Sequence, residues 1–360
     1  MPEERTSAGA LRATGLLARL GASIPLVAAP MAGGPSTPEL VQAAAGAGGL
    51  GFLAAGYKTP GQLAGEIAQV RAGTGRFGVN VFAPNPVPVQ RAAFDAYVEA
   101  LRDWAGNYGV DLRSAEPRED DDEWDAKVEL LAADPVPVVT FTFGLPPAGT
   151  VGRLRRAGSL VLQTVTSAEE ARRAAALGVD GLVIQSHLAG GHSGTLTPEA
   201  PLGEVPLVQL LGRVRAEVDL PLWAAGGLST PAGVREVLAA GAEAAVLGTV
   251  LLRTPESGAS APYKAALADA ARTHTSRTET LLTKAFSGRP ARALRNGFVD
   301  RFHGQAPAGY PALHHLTSPL RKAAAAAGDP EGINIWAGAG YRDATEEPAA
   351  DLLRRLAGTS

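Results

Sequence analysis

Cysteine is missing altogether from the 360 residues. That excludes disulfides, thiolate metal sites and thiol nucleophiles together, and it accords with a reducing compartment. An excess of either charge is missing too: 33 Lys and Arg stand against 36 Asp and Glu, a net charge of −3. Such a balance gives no global pull toward a polyanion. No Lys/Arg cluster with interleaved aromatics marks a nucleic-acid surface either. Long apolar runs are lacking. The stretch from Ile24 to Met31 falls far short of the roughly 20 residues a membrane helix needs. The opening MPEERTSAG has no basic head of a signal peptide. The expectation is a soluble, cytoplasmic protein that binds neither nucleic acid nor membrane. Histidine pairs at metal spacing, H-x-x-x-H or H-E-x-x-H, are absent, so no metal site is expected.

What the chain does have is a rhythm. Hydrophobic residues make up 46% and charged residues 19%, a globular balance with length for one large α/β domain or two smaller ones. From Ile24 onward short apolar runs alternate with alanine-rich amphipathic segments, the pattern of βα units around a parallel sheet. Eight runs read as strands: Ile24–Ala29, Leu50–Ala54, Phe77–Phe82, Val136–Phe141, Leu160–Thr164, Gly181–Gln185, Leu222–Ala225 and Ala244–Leu247. Thr37-Pro38, Thr59-Pro60 and Thr230-Pro231 each set an N-cap threonine before a proline suited to a first helical turn. Ser167 followed by Glu170 reads as a capping box. Gly46, Gly178 and Gly241 stand where helices would end.

Eight βα units imply an α/β fold, a (β/α)8 TIM barrel with its active site at the C-terminal ends of the strands. An open doubly wound sheet is the alternative. Its glycine fingerprint is missing after the first strand, where Ala29-Pro30-Met31-Ala32-Gly33-Gly34 stands. The barrel is expected over residues 1–255, with an insertion at about 83–135 that holds a helix over Val89–Trp104 and an acidic run, Glu116–Asp125. The acidic run reads as a solvated loop. Residues 256–360 are expected to form a C-terminal helical extension over the barrel mouth, part of the same domain. Ala261–Thr273 and Pro319–Ala327 are its helices, the second opened by Ser318-Pro319, and Gly288–Gly309 is irregular.

The chemistry gathers after the sixth strand, in Leu188-Ala189-Gly190-Gly191-His192-Ser193-Gly194. Glycine lets a backbone approach a ligand closely, and here an imidazole follows at once. The turns after strands seven and eight, Ala225-Gly226-Gly227 and Gly248-Thr249, lie where barrels of this class often hold a phosphate. Their main-chain N–H groups can converge on a dianion, or the glycines can simply make tight turns. Asn80, Gln163 and Gln185 put amides at the ends of strands three, five and six. These can serve a flat heterocycle or form a buried amide network with water. His192 is a candidate base, and the alternative is a structural histidine in a glycine loop. His274 and His303 read as incidental.

These pieces resemble the nitronate monooxygenase family, formerly 2-nitropropane dioxygenases. The resemblance is carried by Ala29-Pro30-Met31-Ala32-Gly33, Gly78-Val79-Asn80-Val81-Phe82, the Ala189–Gly194 loop, Ala225-Gly226-Gly227 and Leu247-Gly248-Thr249. Phe286-Ser287-Gly288-Arg289-Pro290-Ala291-Arg292 and Trp336-Ala337-Gly338 extend it, so it covers most of the chain. It implies FMN, with its phosphate at Gly226, Gly227, Gly248 and Thr249. It implies ring and ribityl contacts from Ala29, Pro30, Met31, Asn80, Gln163, Gly190 and Gly191, and His192 as the base near the flavin. The family usually has a glutamate just before AGGH, and here Leu188 stands there, preceded by His187. Substrate contacts are expected from His187, Leu188 and His314, the last of which shares its place over the mouth with His315.

The implied reaction is oxidation of alkyl nitronates or nitroalkanes by dioxygen to a carbonyl compound and nitrite. An imidazole with an ordinary pKa of about 6.5 would take the α-proton and, as imidazolium, stabilise the nitro oxygens. Three alternatives stay open. An FMN-dependent enoyl-thioester reductase would consume NAD(P)H, a flavin-binding protein would show no turnover, and a flavin-free barrel would act on a sugar phosphate.

Overall fold

The computed structural model describes residues 10–273 and 279–359. His274 and the opening MPEERTSAG lie outside them. Eight parallel strands close into a barrel: β1 (Leu26–Ala28), β2 (Leu50–Ala54), β3 (Phe77–Ala83), β4 (Val138–Phe143), β5 (Leu160–Val165), β6 (Gly181–Gln185), β7 (Leu222–Ala225) and β8 (Ala244–Leu247). β8 pairs with β1 through Val27 and Val246, so no strand edge is left open. All eight expected strands are present, β1 shorter than expected and β4 displaced toward its C-terminal end.

Strand parity sorts the side chains. Val27, Phe52, Val138, Leu162, Val183 and Trp223 fill the barrel interior, while Leu53, Val79, Val139, Val161, Leu182 and Ala224 pack under the surrounding helices. Thr37, Thr59 and Thr230 cap their helices through Leu40 N, Gln62 N and Gly233 N. Gly178 and Gly241 take left-handed backbone after their helices, but after the helix Pro38–Gly46 that role falls to Gly48, not Gly46.

Ser167 caps the helix Ala168–Ala175 by accepting from Glu170 N. The carboxylate of Glu170 does not close the expected box. It accepts instead from Thr166 Oγ1 at 2.9 Å and reaches across to Thr195 Oγ1 and Leu196 N, at 2.9 and 2.7 Å. The complete capping box is Thr59 with Gln62.

The insertion and the extension build a second core together. Phe94, Tyr97 and Leu101 of the helix Arg91–Gly106 pack with Phe286, Phe298, Phe302, Leu313 and Leu320. Gly288–Gly309 is not irregular: it contains a strand, Ala291–Leu294, and a helix, Gly297–Phe302. That strand joins Thr280–Thr283 and the two residues Gly191–His192 in an antiparallel ribbon. Pro319 does not open a helix but lies inside one, Ala312–Ala326. Proline there removes one helical hydrogen bond, and burial of Leu313, Leu316 and Leu320 on the same helix outweighs the loss.

The acidic run is only partly a solvated loop. Asp122 pairs with fully buried Lys127 at 2.7 Å and accepts from Tyr57 N at 2.9 Å. Among the described residues no acidic or histidine group has the makings of a metal site. No helix among them is long and apolar enough to cross a membrane.

The closeness of helix and barrel gives a direct test. A Cβ on Gly51 of β2 would lie 2.7 Å from Val41 Cα and 2.9 Å from Val41 O. Gly51→Ala is therefore expected to destabilise the fold by about 1–3 kcal/mol, read as a lowered thermal midpoint. An unchanged midpoint would mean that this helix packs farther from the strand.

Candidate active site

At the C-terminal ends of the strands lies a cavity bordered by Ala29, Pro30 and Met31 after β1, Asn80 of β3, Thr142 and Phe143 of β4 and Thr164 of β5. Gln185 of β6, the loop Ala189–His192 and the turns Gly226–Leu228 and Gly248–Thr249 complete the barrel's share. Tyr263, Trp336, Gly338 and Gly340 of the extension form the far wall.

Gln163 is not part of it. It sits on β5 one residue before Thr164, so it points out of the barrel, fully buried, with Nε2 donating to Gly144 O and Thr164 O, both at 3.1 Å. The inward position belongs to Thr164 because side chains alternate along a strand. Asn80 does face the cavity. Its Nδ2 donates to Thr140 Oγ1 and Thr142 Oγ1, at 2.9 and 2.8 Å. Gln185 spends its amide on the next loop: Oε1 accepts from Gly194 N at 2.6 Å and Nε2 donates to His192 O at 3.3 Å.

Two turns make a cradle of main chain. Gly226 and Gly227 have φ of +106° and +76°, values that strain any side chain. A Cβ on Gly226 would also lie 2.5 Å from Ser186 Oγ, and one on Gly190 2.5 Å from Gly338 N. Thr249 Oγ1 accepts from Gly338 N at 3.0 Å, which ties the extension to the turn after β8. The N–H groups of Gly226, Gly227, Gly248 and Thr249 donate to no protein acceptor among the described residues. Unpaired amides facing a cavity are the donor set an anion needs, and the residues present fit the phosphate end of a flavin nucleotide.

His192 pairs with Ala291 in the ribbon, and that pairing sets its ring among Phe143, Tyr310 and Trp336, with centroids 5.7, 5.8 and 5.2 Å away. Nε2 lies 2.8 Å from Ser287 Oγ. Burial, then the nearby Arg289 and Arg321 cations, pushes the imidazole down to about 3. An imidazole titrating near neutrality is thus not what the fold provides, and neither is a standing imidazolium: His192 is neutral at pH 7. Arg289 is fully buried, its guanidinium 4.1 Å from the centre of the Phe143 ring. It donates to Thr195 O and Ser193 O, while Nη1 has no partner among the described residues. Burial lowers its pKa to about 10, so it stays charged. Sequence reasoning named the stretch Phe286–Arg292 without giving Ser287 or Arg289 a role, because only the ribbon brings them to His192.

Three expected substrate residues lie elsewhere. Neither His187 nor Leu188 borders the cavity. The main chain of His187 accepts from Arg292 Nε at 2.7 Å, and that of Leu188 from Ala339 N at 3.0 Å. His314 belongs to a neighbouring cavity that also includes His315, Lys322 and the acidic loop 118–123. Its ring stacks on Tyr57 at 4.0 Å. Tyr57, Phe82 and Phe143 border both cavities, and Tyr57 and Phe143 hold left-handed backbone, φ 68° and 82°, of the kind found where function fixes a side chain.

Known proteins match this chain along most of its length. The nitronate monooxygenase family model covers residues 16–358. The chain belongs to the nitronate monooxygenase family. It is 35% identical over 345 residues to a probable nitronate monooxygenase of Staphylococcus aureus, with 94% of each chain covered. Among solved structures it is similar to the nitroalkane oxidase of Streptomyces ansochromogenes: 48% identity, TM-score 0.86, 92% of this chain and 94% of that one. FabK from Thermotoga maritima is more distant, at 26% identity and TM-score 0.70, covering 95% and 93%. Nitronate monooxygenases are flavin-dependent, and the chain is an oxidoreductase.

Buried neutral His192 has a thermodynamic signature. An unfolded imidazole titrates near about 6.5 and this one near about 3. As pH falls across that window the unfolded chain takes up the proton first, so the contribution to stability is present above it and lost below. Between about pH 7.5 and 5.5 the wild type should lose roughly 1 kcal/mol more than His192→Gln in denaturant unfolding. Parallel losses in the two proteins would show that the folded ring takes up its proton as readily as the unfolded one.

Proposed function

We propose that the enzyme oxidises alkyl nitronates, with FMN as cofactor and dioxygen as final acceptor, to a carbonyl compound and nitrite. One observation carries this reading: a buried guanidinium, without a carboxylate partner among the described residues, stands behind a neutral imidazole at the cavity. A nitronate arrives already deprotonated and negative. The field of Arg289 that disfavours imidazolium favours such an anion. A neutral nitroalkane gains nothing from that field and must give its α-proton to a weak base, so nitroalkanes are the poorer substrates.

The main-chain amides of Gly226, Gly227, Gly248 and Thr249 would hold the FMN phosphate. Ala29, Pro30, Met31, Asn80, Gly190 and Gly191 would border its ring and ribityl chain. Bound FMN supplies the electron acceptor and the reactivity toward dioxygen. Phe143, Tyr310 and Trp336 keep water from the imidazole, which strengthens every charge interaction there. In this reading the positive field of Arg289 orients the nitronate, and its turnover does not depend on His192 as a base.

Three measurements test this. At pH 7, kcat/KM for a preformed alkyl nitronate should exceed that for its parent nitroalkane by about 100-fold or more, and equal values would overturn the reading. Gly226→Ala should release FMN at least about tenfold more readily, because its methyl meets Ser186 Oγ. Mixed anaerobically, a nitronate should bleach the flavin. Bleaching by NADPH alone, followed by turnover of an enoyl thioester, would make the enzyme a reductase instead.

A further inference from the structure

Ser287 Oγ is buried and has three neighbours at hydrogen-bond distance: His192 Nε2 at 2.8 Å, Arg289 O at 3.3 Å and Arg289 N at 3.4 Å. A hydroxyl has one proton to give. Among the described residues no other donor reaches Arg289 O. If Ser287 gave its proton to the imidazole, that buried carbonyl would be left unpaired, at a cost. All three contacts are satisfied together in one arrangement: Ser287 donates to Arg289 O and accepts from Arg289 N–H and from a protonated Nε2. The other ring nitrogen, Nδ1, makes no protein hydrogen bond among the described residues, and the ring borders the cavity.

We propose that Ser287 is a positioning residue that locks His192 in the Nε2–H tautomer, so that Nδ1 is the atom offered to substrate. This rests on the nitronate reading and refines it. Toward a nitronate, Nδ1 brings a lone pair and no proton, so the anion is not neutralised and no proton transfer at the ring is needed. Toward a neutral nitroalkane, the α-carbon–hydrogen bond breaks, its proton moves to Nδ1, and its electron pair passes into the nitronate carbon–nitrogen double bond. The imidazolium then formed keeps its Nε2–H bond to Ser287, which shares the new charge with Arg289 O. No oxidant enters that step. Ser287 therefore matters more for nitroalkanes, which need the proton transfer, than for nitronates, which do not.

Ring-nitrogen NMR of the 15N-histidine holoenzyme at neutral pH tests the tautomer directly, with the His192 signals assigned by their loss in His192→Gln. The expected result is a proton on Nε2 and a bare Nδ1, and a proton on Nδ1 would overturn the proposal without any variant of Ser287. Ser287→Ala should mix the tautomers and lower the ratio of nitroalkane to nitronate turnover by about tenfold or more. An unchanged ratio together with an unchanged tautomer would also overturn it. Failure of the wild type to oxidise nitronates would remove the function proposed above while the tautomer result stood.

Discussion

The site depends on a loop held between two buried charges that never touch each other. Glu170 comes from the barrel side and Arg289 from the extension. They meet on Thr195: its hydroxyl donates to Glu170 and its carbonyl accepts from Arg289. Burying either ion alone would cost several kcal/mol. Each makes charge-assisted bonds to the main chain of the same segment, Ser193 to Leu196, with Arg289 Nη1 left over. Removing either charge would release one side of the loop that the other still grips, so barrel, loop and extension are coupled through that segment. His192 is fixed because the segment that carries it cannot shift.

That arrangement divides the labour. The barrel supplies the amide cradle of the turns after β7 and β8, and the extension supplies the cations and the serine nearest the imidazole. Arg289, Ser287 and Trp336 all arrive on chain that follows the eighth strand. Gly338 N, bonded to Thr249, joins the two halves at the phosphate end. The cradle and the groups beside the imidazole therefore come from different parts of the sequence.

How much of this the sequence discloses depends on the range of the interaction. The eight strands were legible because apolar runs, threonine-proline starts and glycine stops are local signals. Gln163 misled because periodicity places a strand but not its parity: one residue decides between Gln163 and Thr164, and only pairing sets it. Glu170 fits a local capping box, yet its carboxylate is claimed by Thr195, a partner 25 residues away. Pro319 signals a helix start, and packing of the leucine face overrides it. The role of Ser287 rests on the register Ala291 to His192, which no spacing in the chain encodes.

The departure at Leu188 can now be placed. A glutamate expected there from the family pattern suggested a changed substrate wall. Leu188 instead packs beneath the turn after β7: a Cβ on Gly227 would lie 3.2 Å from Leu188 Cβ. Its carbonyl holds the segment at Ala339. An apolar side chain thus packs against the main chain of that turn. Tyr57, Phe82 and Phe143 form the wall that this cavity shares with its neighbour. Two of these three are held in left-handed backbone, one of them by the hydrogen bond from Tyr57 N to Asp122. The acidic loop thus helps to fix the backbone of one residue of that shared wall.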